Sequence, residues 1–195
     1  MADVIYEIAK TFLAFVIILD PFLGVVLFSS FTKGMKPIKK VEQAMLAVGV
    51  AGAVLFAFLF IGPYLLDLFA VDFSSFKVAG GVVLLILGIQ FVMGSGFKVN
   101  NKTTTVVLIG TPMLCGPGTI TTAIVFAEQY GYLVVTIGAI LSLLVIWLAL
   151  IVSTQIERFF GLKFMEIISR VMGLLLSTLA IEFIKDGFID ILRTF

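Results

Sequence analysis

The sequence predicts an all-α integral membrane protein with six transmembrane helices, forming a single transmembrane domain over residues 1–195. Of the 195 residues, 61% are hydrophobic and 13% are charged, which is a composition typical of chains surrounded by lipid. Apolar runs of about 20 residues, the length that crosses a bilayer as a helix, recur along nearly the whole chain. The predicted spans are 8–32, 41–66, 75–94, 104–127, 132–154 and 166–187.

The distribution of lysine and arginine predicts the orientation of these spans. Because cytoplasmic loops are enriched in both residues, the first, third and fifth loops are expected on the cytoplasmic side and both termini on the outer side of the cell (inner) membrane. A short interfacial helix is expected just before the last span, where charges alternate with Phe and Leu. The first group of loops holds Lys33, Lys36, Lys39, Lys40, Lys98, Lys102, Arg158 and Lys163, against Lys10, Lys77, Lys185 and Arg193 on the opposite side.

Two sequence matches indicate an internal repeat. "GVVLLILGIQFV" (81–92) in the third span matches "GLLLSTLAIEFI" (173–184) in the sixth at an offset of 92 residues. In the first and fourth spans, Asp20-Pro21 and Gly116-Pro117 interrupt the apolar run in mid-membrane at an offset of 96. Chance similarity between two leucine-rich helices is the alternative explanation.

Each half contains three spans, which is an odd number. The second half therefore enters the membrane from the side opposite to the first. The prediction is therefore an inverted-topology repeat, the plan of many secondary transporters. The first three-helix repeat covers 8–97 and the second covers 104–187, with helices 1 and 4 broken. Small residues at helical spacing, such as Gly49, Gly81 and Gly173, are expected to mark close helix contacts.

The breaks have a physical meaning at membrane depth. Proline lacks an N–H and clashes with the preceding turn, so a helix ends before it and a new one starts at it. Asp20 is suited to cap the half-helix that begins at Pro21, and Gly116 the one that begins at Pro117. The amides of Gly118 and Thr119 then belong to an exposed first turn, which attracts a carboxylate.

The opposite ends of the breaks have the complementary chemistry. Carbonyl groups freed at the ends of the first half-helices, together with the Asp20 carboxylate, suit an ammonium group, a sodium ion or a proton. A carboxylate near the bilayer centre is costly and is functional by default, although Asp20 is also explained as a helix cap. A site that combines anion-binding amides with cation-binding oxygens fits a zwitterion, and an amino acid is the simplest zwitterion of this kind.

Seven residues around the breaks are the candidate substrate-binding set. The hydroxyls of the two threonines either back-bond along their helix or face the ligand. Glu182 is a candidate for coupling or gating, with Gln90 at the matching repeat position, unless both side chains only reach to the membrane interface. The substrate-binding candidates are Asp20, Phe22, Gly24, Gly116, Gly118, Thr119 and Thr122.

Other functional classes lack the residues they require. The chain has no histidine, so no Ser-His or Cys-His nucleophile pair exists and an enzyme is not expected. The sequence has no basic stripe interleaved with aromatic residues, so nucleic-acid binding is not expected. No cofactor or metal is expected apart from coupling Na⁺ or H⁺, and the expected partners are the lipid bilayer and a small neutral amino acid. The oligomeric state is left open, a homo-oligomer included.

Four stretches together resemble the MarC family of bacterial and archaeal inner-membrane proteins, some of which are described as small neutral amino-acid transporters. They are "ILDPFLGVVLF", "FKVAGGVVLLILGIQF", "TPMLCGPGTITTAIVF" and "RVMGLLLSTLAIEFI". The resemblance implies a six-helix transporter of glycine, alanine and similar substrates, coupled to sodium or protons. Alternating access around the two broken helices is the predicted mechanism. The alternative is a small-solute or ion channel with a re-entrant Gly/Pro-rich filter.

Overall fold

The computed structural model describes residues 2–94 and 116–194. These residues form α-helices joined by short turns, as the composition predicts. The helices are α1 (Ala2–Leu19), α2 (Pro21–Phe31), α3 (Pro37–Leu68), α4 (Phe73–Val92), α5 (Pro117–Tyr130), α6 (Tyr132–Ile151), α7 (Ser153–Phe160) and α8 (Leu162–Thr194).

Five passages within the described ranges are long and apolar enough to cross a membrane, which confirms a multi-pass, all-helical protein. The predicted fourth span, 104–127, lies partly outside the described residues, and only its second half is seen, in α5. The count of six spans therefore stays a prediction. The five passages are Asp3–Phe31, Pro37–Leu68, Phe73–Val92, Tyr132–Ile151 and Leu162–Arg193.

The first span is broken at the predicted position. α1 ends at Leu19 and α2 begins at Pro21, while Asp20 between them has φ 37° and ψ 83°. This left-handed conformation is uncommon outside glycine, but Asp and Asn adopt it more readily than other residues. At the second break, α5 begins at Pro117 with Gly116 in an extended conformation before it.

Helix α7 is the short helix expected before the last span, and α8 is longer than predicted. The prediction for the last span was 166–187, whereas α8 runs from Leu162 to Thr194. Hydropathy ends a predicted span where charges begin, but a helix continues as long as its backbone bonds continue. Near its far end, the Asp190 carboxylate lies 3.2 Å from the buried Lys77 ammonium group of α4.

Helices α4 and α8 pack antiparallel along a seam of small residues. A Cβ on Gly81 would lie 2.9 Å from the carbonyl oxygen of Ala180, and one on Gly173 would lie 2.8 Å from that of Gly88. Ala180 follows Gly88 by the same 92 residues that separate Gly173 from Gly81, so the two contacts are reciprocal. The two backbones touch because side chains are absent there.

Other glycines make similar contacts, with one exception. Gly138 lets α6 approach Thr11 of α1, and Gly62 lets α3 approach Ile124 of α5. In contrast, a Cβ on Gly49 would meet none of the described atoms within 4 Å. The prediction that small residues mark close contacts is therefore right along the seam and wrong at Gly49.

Candidate functional site

The two breaks meet at one small cavity between α2, α4, α5 and α8. This inner cavity has a volume of about 40 Å³, and since one water needs about 15 Å³, it holds on the order of two or three water-sized groups. Features predicted from separate halves of the sequence are therefore neighbours in space. Its lining consists of Ile18, Leu19, Asp20, Leu23, Leu87, Phe91, Gly116, Pro117, Thr119 and Leu176.

Asp20 is the charged residue of the inner cavity, and only half of its carboxylate is satisfied. Oδ1 accepts hydrogen bonds from the backbone N–H groups of Phe22 and Leu23, both at 3.2 Å. The residue is 1% exposed, and Oδ2 has no hydrogen-bond partner in the described part of the chain. Because a buried polar atom without a partner is costly, Oδ2 is poised to bind a ligand.

The end of α1 adds further acceptors beside this carboxylate. In an unbroken helix the carbonyls of Ile17, Ile18 and Leu19 would pair with the N–H groups of the residues four positions later. Pro21 has no N–H, and the next two N–H groups donate to Asp20 instead. The last turn of α1 therefore has carbonyl groups without their usual helical N–H partners, and Ile18 and Leu19 of this turn line the cavity.

The N-terminus of α5 forms the other wall. The Thr119 N–H donates to the Gly116 carbonyl at 3.0 Å, so one of the two amides expected to face a ligand is already bonded within its own helix. The Gly118 amide is the remaining candidate. Thr119 itself is buried and lines the inner cavity.

The Thr122 hydroxyl and the side-chain position of Gly118 are directed away from the inner cavity. The Thr122 hydroxyl donates to the Gly118 carbonyl at 2.9 Å, so it back-bonds along the helix. A Cβ on Gly118 would lie 2.7 Å from Leu84 Cδ2, which places this glycine against α4. The separation follows from the helical turn of about 100° per residue, which cannot direct residues 118, 119 and 122 to one side.

Phe22 and Gly24 do not line the inner cavity either. Phe22 contributes its backbone N–H to Asp20, while its side chain is half-buried elsewhere. A Cβ on Gly24 would lie 3.8 Å from Leu150 of α6, so this glycine faces a neighbouring helix. Of the seven predicted residues, the structure brings together Asp20, Gly116 and Thr119.

Glu182 and Gln90 lie outside the inner cavity. The Glu182 side chain is 57% exposed and pairs with Lys185 on the same helix. Gln90 is exposed at the end of α4. Both positions agree with the alternative interpretation, in which these side chains reach towards the membrane interface.

A larger cavity opens next to the inner one. This vestibule has a volume of about 260 Å³ and lies between α2, the end of α4 and the start of α8, on the predicted cytoplasmic side. Leu23 and Phe91 line both cavities and therefore separate them. The remaining lining residues are Val26, Leu27, Gly94, Glu166, Ser169 and Arg170.

Ser169 is a site residue that sequence reasoning missed. It lies seven residues, or about two helical turns, before Leu176 of the inner cavity, so both occupy one face of α8. This spacing is the only sequence signal that points to Ser169. The spacing is informative only when the orientation of Leu176 is known. Hydropathy gives no signal because one serine hardly changes an apolar run.

Aromatic residues pack together further along α5 and α8, beyond the residues of these helices that line the inner cavity. The rings of Phe126 and Phe183 meet edge to face with centroids 5.7 Å apart, and both residues are almost fully buried. Phe126 also contacts Tyr130 edge to face at 5.3 Å. The Lys10 ammonium group donates to the Tyr130 hydroxyl at 2.6 Å, which ties α1 to the end of α5.

The single carboxylate of the inner cavity, Asp20, suits a monovalent cation better than a multivalent metal. In the ranges 2–94 and 116–194, no three Asp, Glu, Cys or His side chains cluster as a metal site would require. A single carboxylate with backbone carbonyls matches an ammonium group or sodium ion, as in transporters with broken helices.

Comparison with known proteins places the chain in a family. The model of MarC family integral membrane proteins matches residues 5–192. A membrane protein of Buchnera aphidicola subsp. Schizaphis graminum, named UPF0056 membrane protein, is 31% identical over 91% of this chain and 90% of its own length. One of Methanocaldococcus jannaschii with the same family name is 29% identical over 87% of this chain and 90% of its own length. No solved structure matches the chain. The chain therefore belongs to the MarC family of integral membrane proteins.

Proposed function

We propose that this protein is a secondary-active transporter of small neutral amino acids, such as glycine and alanine, and that the inner cavity is its substrate site. The observation that carries the proposal is the meeting of the two helix breaks at a cavity that contains the half-satisfied Asp20 carboxylate. A buried charge of this kind in a membrane-spanning segment is functional by default.

The two walls of the cavity match the two ends of an amino acid. The substrate ammonium group would interact with Asp20 Oδ2 and with the carbonyls that end α1. The substrate carboxylate would lie at the N-terminus of α5, where the Gly118 amide and the helix dipole attract an anion. At about 40 Å³ the inner cavity would have to widen even for the five non-hydrogen atoms of glycine, so larger side chains are disfavoured.

Alternating access would use the predicted inverted repeats, 8–97 and 104–187. The reciprocal contacts of Gly81 and Gly173 support this arrangement, because a two-fold axis between α4 and α8 would produce them. The vestibule on one side and the aromatic closure on the other support a transporter over a channel, since a channel needs one continuous path. Coupling to Na⁺ or H⁺, and both termini on the outer side of the inner membrane, belong to the same proposal.

Uptake of radiolabelled glycine into proteoliposomes tests the proposal, with either a sodium or a proton gradient. The wild-type protein is expected to show saturable uptake that follows one of the gradients. Asp20→Asn keeps a side chain that caps a helix and tolerates the left-handed conformation, but it removes the charge. Uptake is expected to fall by about tenfold or more, because hydrogen bonds to an ionised group are stronger than those between neutral groups.

Asp72→Asn is the matched control. Asp72 also caps a helix, α4, with its Oδ2 accepting from the Ser75 N–H at 3.2 Å, but this site is exposed. Its substitution is expected to leave uptake unchanged. Equal uptake by Asp20→Asn and wild type would contradict the proposed site, and flux that does not saturate would favour a channel.

A further inference from the structure

Ser169 of α8 is a buried polar residue that helix packing does not explain. It is 6% exposed, and its hydroxyl has no hydrogen-bond partner within the described residues. Buried serines in helices commonly donate to a backbone carbonyl one turn back, as the Ser142 hydroxyl does to the Ala139 carbonyl at 2.8 Å. An unpartnered hydroxyl in such a place requires an explanation.

The hydroxyl of Ser169 lies beside the Asp20 carboxyl group, although outside hydrogen-bonding geometry in this conformation. Two buried oxygens, Asp20 Oδ2 and Ser169 Oγ, therefore belong to neighbouring groups on different helices, and both are unpartnered among the residues described. Each oxygen accepts hydrogen bonds or coordinates a cation, and one of them carries a negative charge. A single positively charged group between them would satisfy both.

These two oxygens stand at the boundary between the two cavities. Asp20 lines the inner cavity, whereas Ser169 lines the vestibule. Leu23 and Phe91 line both, so Asp20 and Ser169 lie next to the boundary that these two side chains form. Ile18 and Leu19, at the end of α1, line the inner cavity beside Asp20.

We propose that Asp20 and Ser169 together bind a monovalent cation at this boundary. The cation is the ammonium group of the substrate or a sodium ion, which share the same oxygen ligands. This inference rests on the proposed transport function for its role, but the cation site itself stands on the two unpartnered oxygens. Ser169 supplies a neutral hydroxyl ligand beside the charged Asp20 carboxylate. The vestibule supplies the route by which the cation reaches both.

Thermal-shift titration of the purified full-length protein tests the site. Sodium chloride, ammonium chloride and glycine are titrated at constant ionic strength, with choline chloride as the inert salt, because ligands that bind the native state raise its apparent stability. Ser169→Ala is expected to raise the half-maximal concentration of the bound cation about tenfold. Ser169→Thr, which keeps the hydroxyl, is expected to stay within about threefold of wild type.

The two sources of the cation give different results. If the site binds the ammonium group, Ser169→Ala weakens the binding of glycine and of ammonium in sodium-free buffer. If it takes sodium, Ser169→Ala weakens the sodium titration and leaves glycine in sodium-free buffer unchanged. Ser142→Ala, which removes another buried serine hydroxyl, is the matched control and is expected to match wild type in every titration. If Ser169→Ala does not fold, Ser169→Cys replaces it in the same titrations.

Failure of this inference is distinguishable from failure of the proposed function. Wild-type half-maximal concentrations for all three ligands in Ser169→Ala would overturn the inference, whether or not glycine is transported. A wild-type protein that responds to sodium or ammonium through Ser169, but neither binds nor transports any small neutral amino acid, would overturn the proposed function and support the cation site.

Discussion

Phe91 and Phe183 occupy matching positions in the predicted repeat, 92 residues apart, yet their surroundings differ. Phe91 lies between the inner cavity and a vestibule of about 260 Å³. Phe183 packs edge to face against Phe126, with centroids 5.7 Å apart, and is 4% exposed. In the proposed inverted-repeat transporter, unequal surroundings of equivalent residues would correspond to a conformation open to one side, here one closed on the Tyr130 side.

Three predictions bear on this comparison, beyond those for Asp20 and Ser169. They address in turn the seam that holds α4 against α8, the two phenylalanines, and the polar contact next to the aromatic closure.

Gly88→Ala is expected to have the largest effect, because it breaks the seam on which both phenylalanines depend. The added Cβ would lie 2.8 Å from the Gly173 carbonyl oxygen and would also overlap the Ser177 hydroxyl oxygen, so α4 and α8 must move apart. Overpacking costs about 1–3 kcal/mol, which lowers the Tm of a chain of this length by about 2–12 °C.

Gly49→Ala is the control for the seam, since its Cβ would meet no described atom within 4 Å. It is expected to leave the Tm unchanged or slightly raised, because alanine favours helix more than glycine does. Thermal unfolding monitored by size-exclusion fluorescence measures both variants. Equal Tm values for the two alanine variants would contradict the close approach of α4 and α8.

Phe183→Ala is expected to have the next effect, opening the closed side. Thr119→Cys is the reporter of the inner cavity, in a Cys115→Ser background because Cys115 is the one native cysteine. Labelling by a membrane-impermeant thiol reagent from the Tyr130 side is expected to rise about tenfold, since loss of a packed ring removes on the order of 1.4 kcal/mol or more of closure.

Phe91→Ala is the matched variant on the other side. It is expected to raise labelling only from the vestibule side, where right-side-out and inside-out vesicles distinguish the two directions. Increases from the same side in both variants would contradict the assignment of Phe91 and Phe183 to opposite sides of the inner cavity.

Tyr130→Phe is expected to have the smallest effect. It removes the hydroxyl that accepts from Lys10 at 2.6 Å but keeps the ring that packs against Phe126. An exposed hydrogen bond contributes about 0.5 kcal/mol, the lower end of the usual range, so labelling of the Thr119→Cys reporter from this side is expected to rise by about two- to threefold. A rise in labelling as large as that of Phe183→Ala would indicate that the Lys10–Tyr130 contact, and not the aromatic packing, keeps this side closed.

Several features of the fold could be predicted from local sequence because their causes are local. Runs of apolar residues fix where helices cross the membrane, and proline fixes where α2 and α5 begin, through its missing N–H. The short helix α7 follows from its mixed charge and Phe pattern. The ends of α8 were not predictable, because hydropathy changes before the helix stops.

Composition and backbone chemistry are properties of short segments, so the all-helical membrane fold, the breaks at Asp20-Pro21 and Gly116-Pro117 and the candidacy of Asp20 could be read from the chain alone. Which residues around the breaks share a cavity depends instead on how the helices pack. This packing turned the side-chain position of Gly118 and the Thr122 hydroxyl away, brought Ser169 near Asp20 and gave Phe91 and Phe183 unequal surroundings. These outcomes depend on the rotation of each helix about its axis, which is set by packing against the other helices.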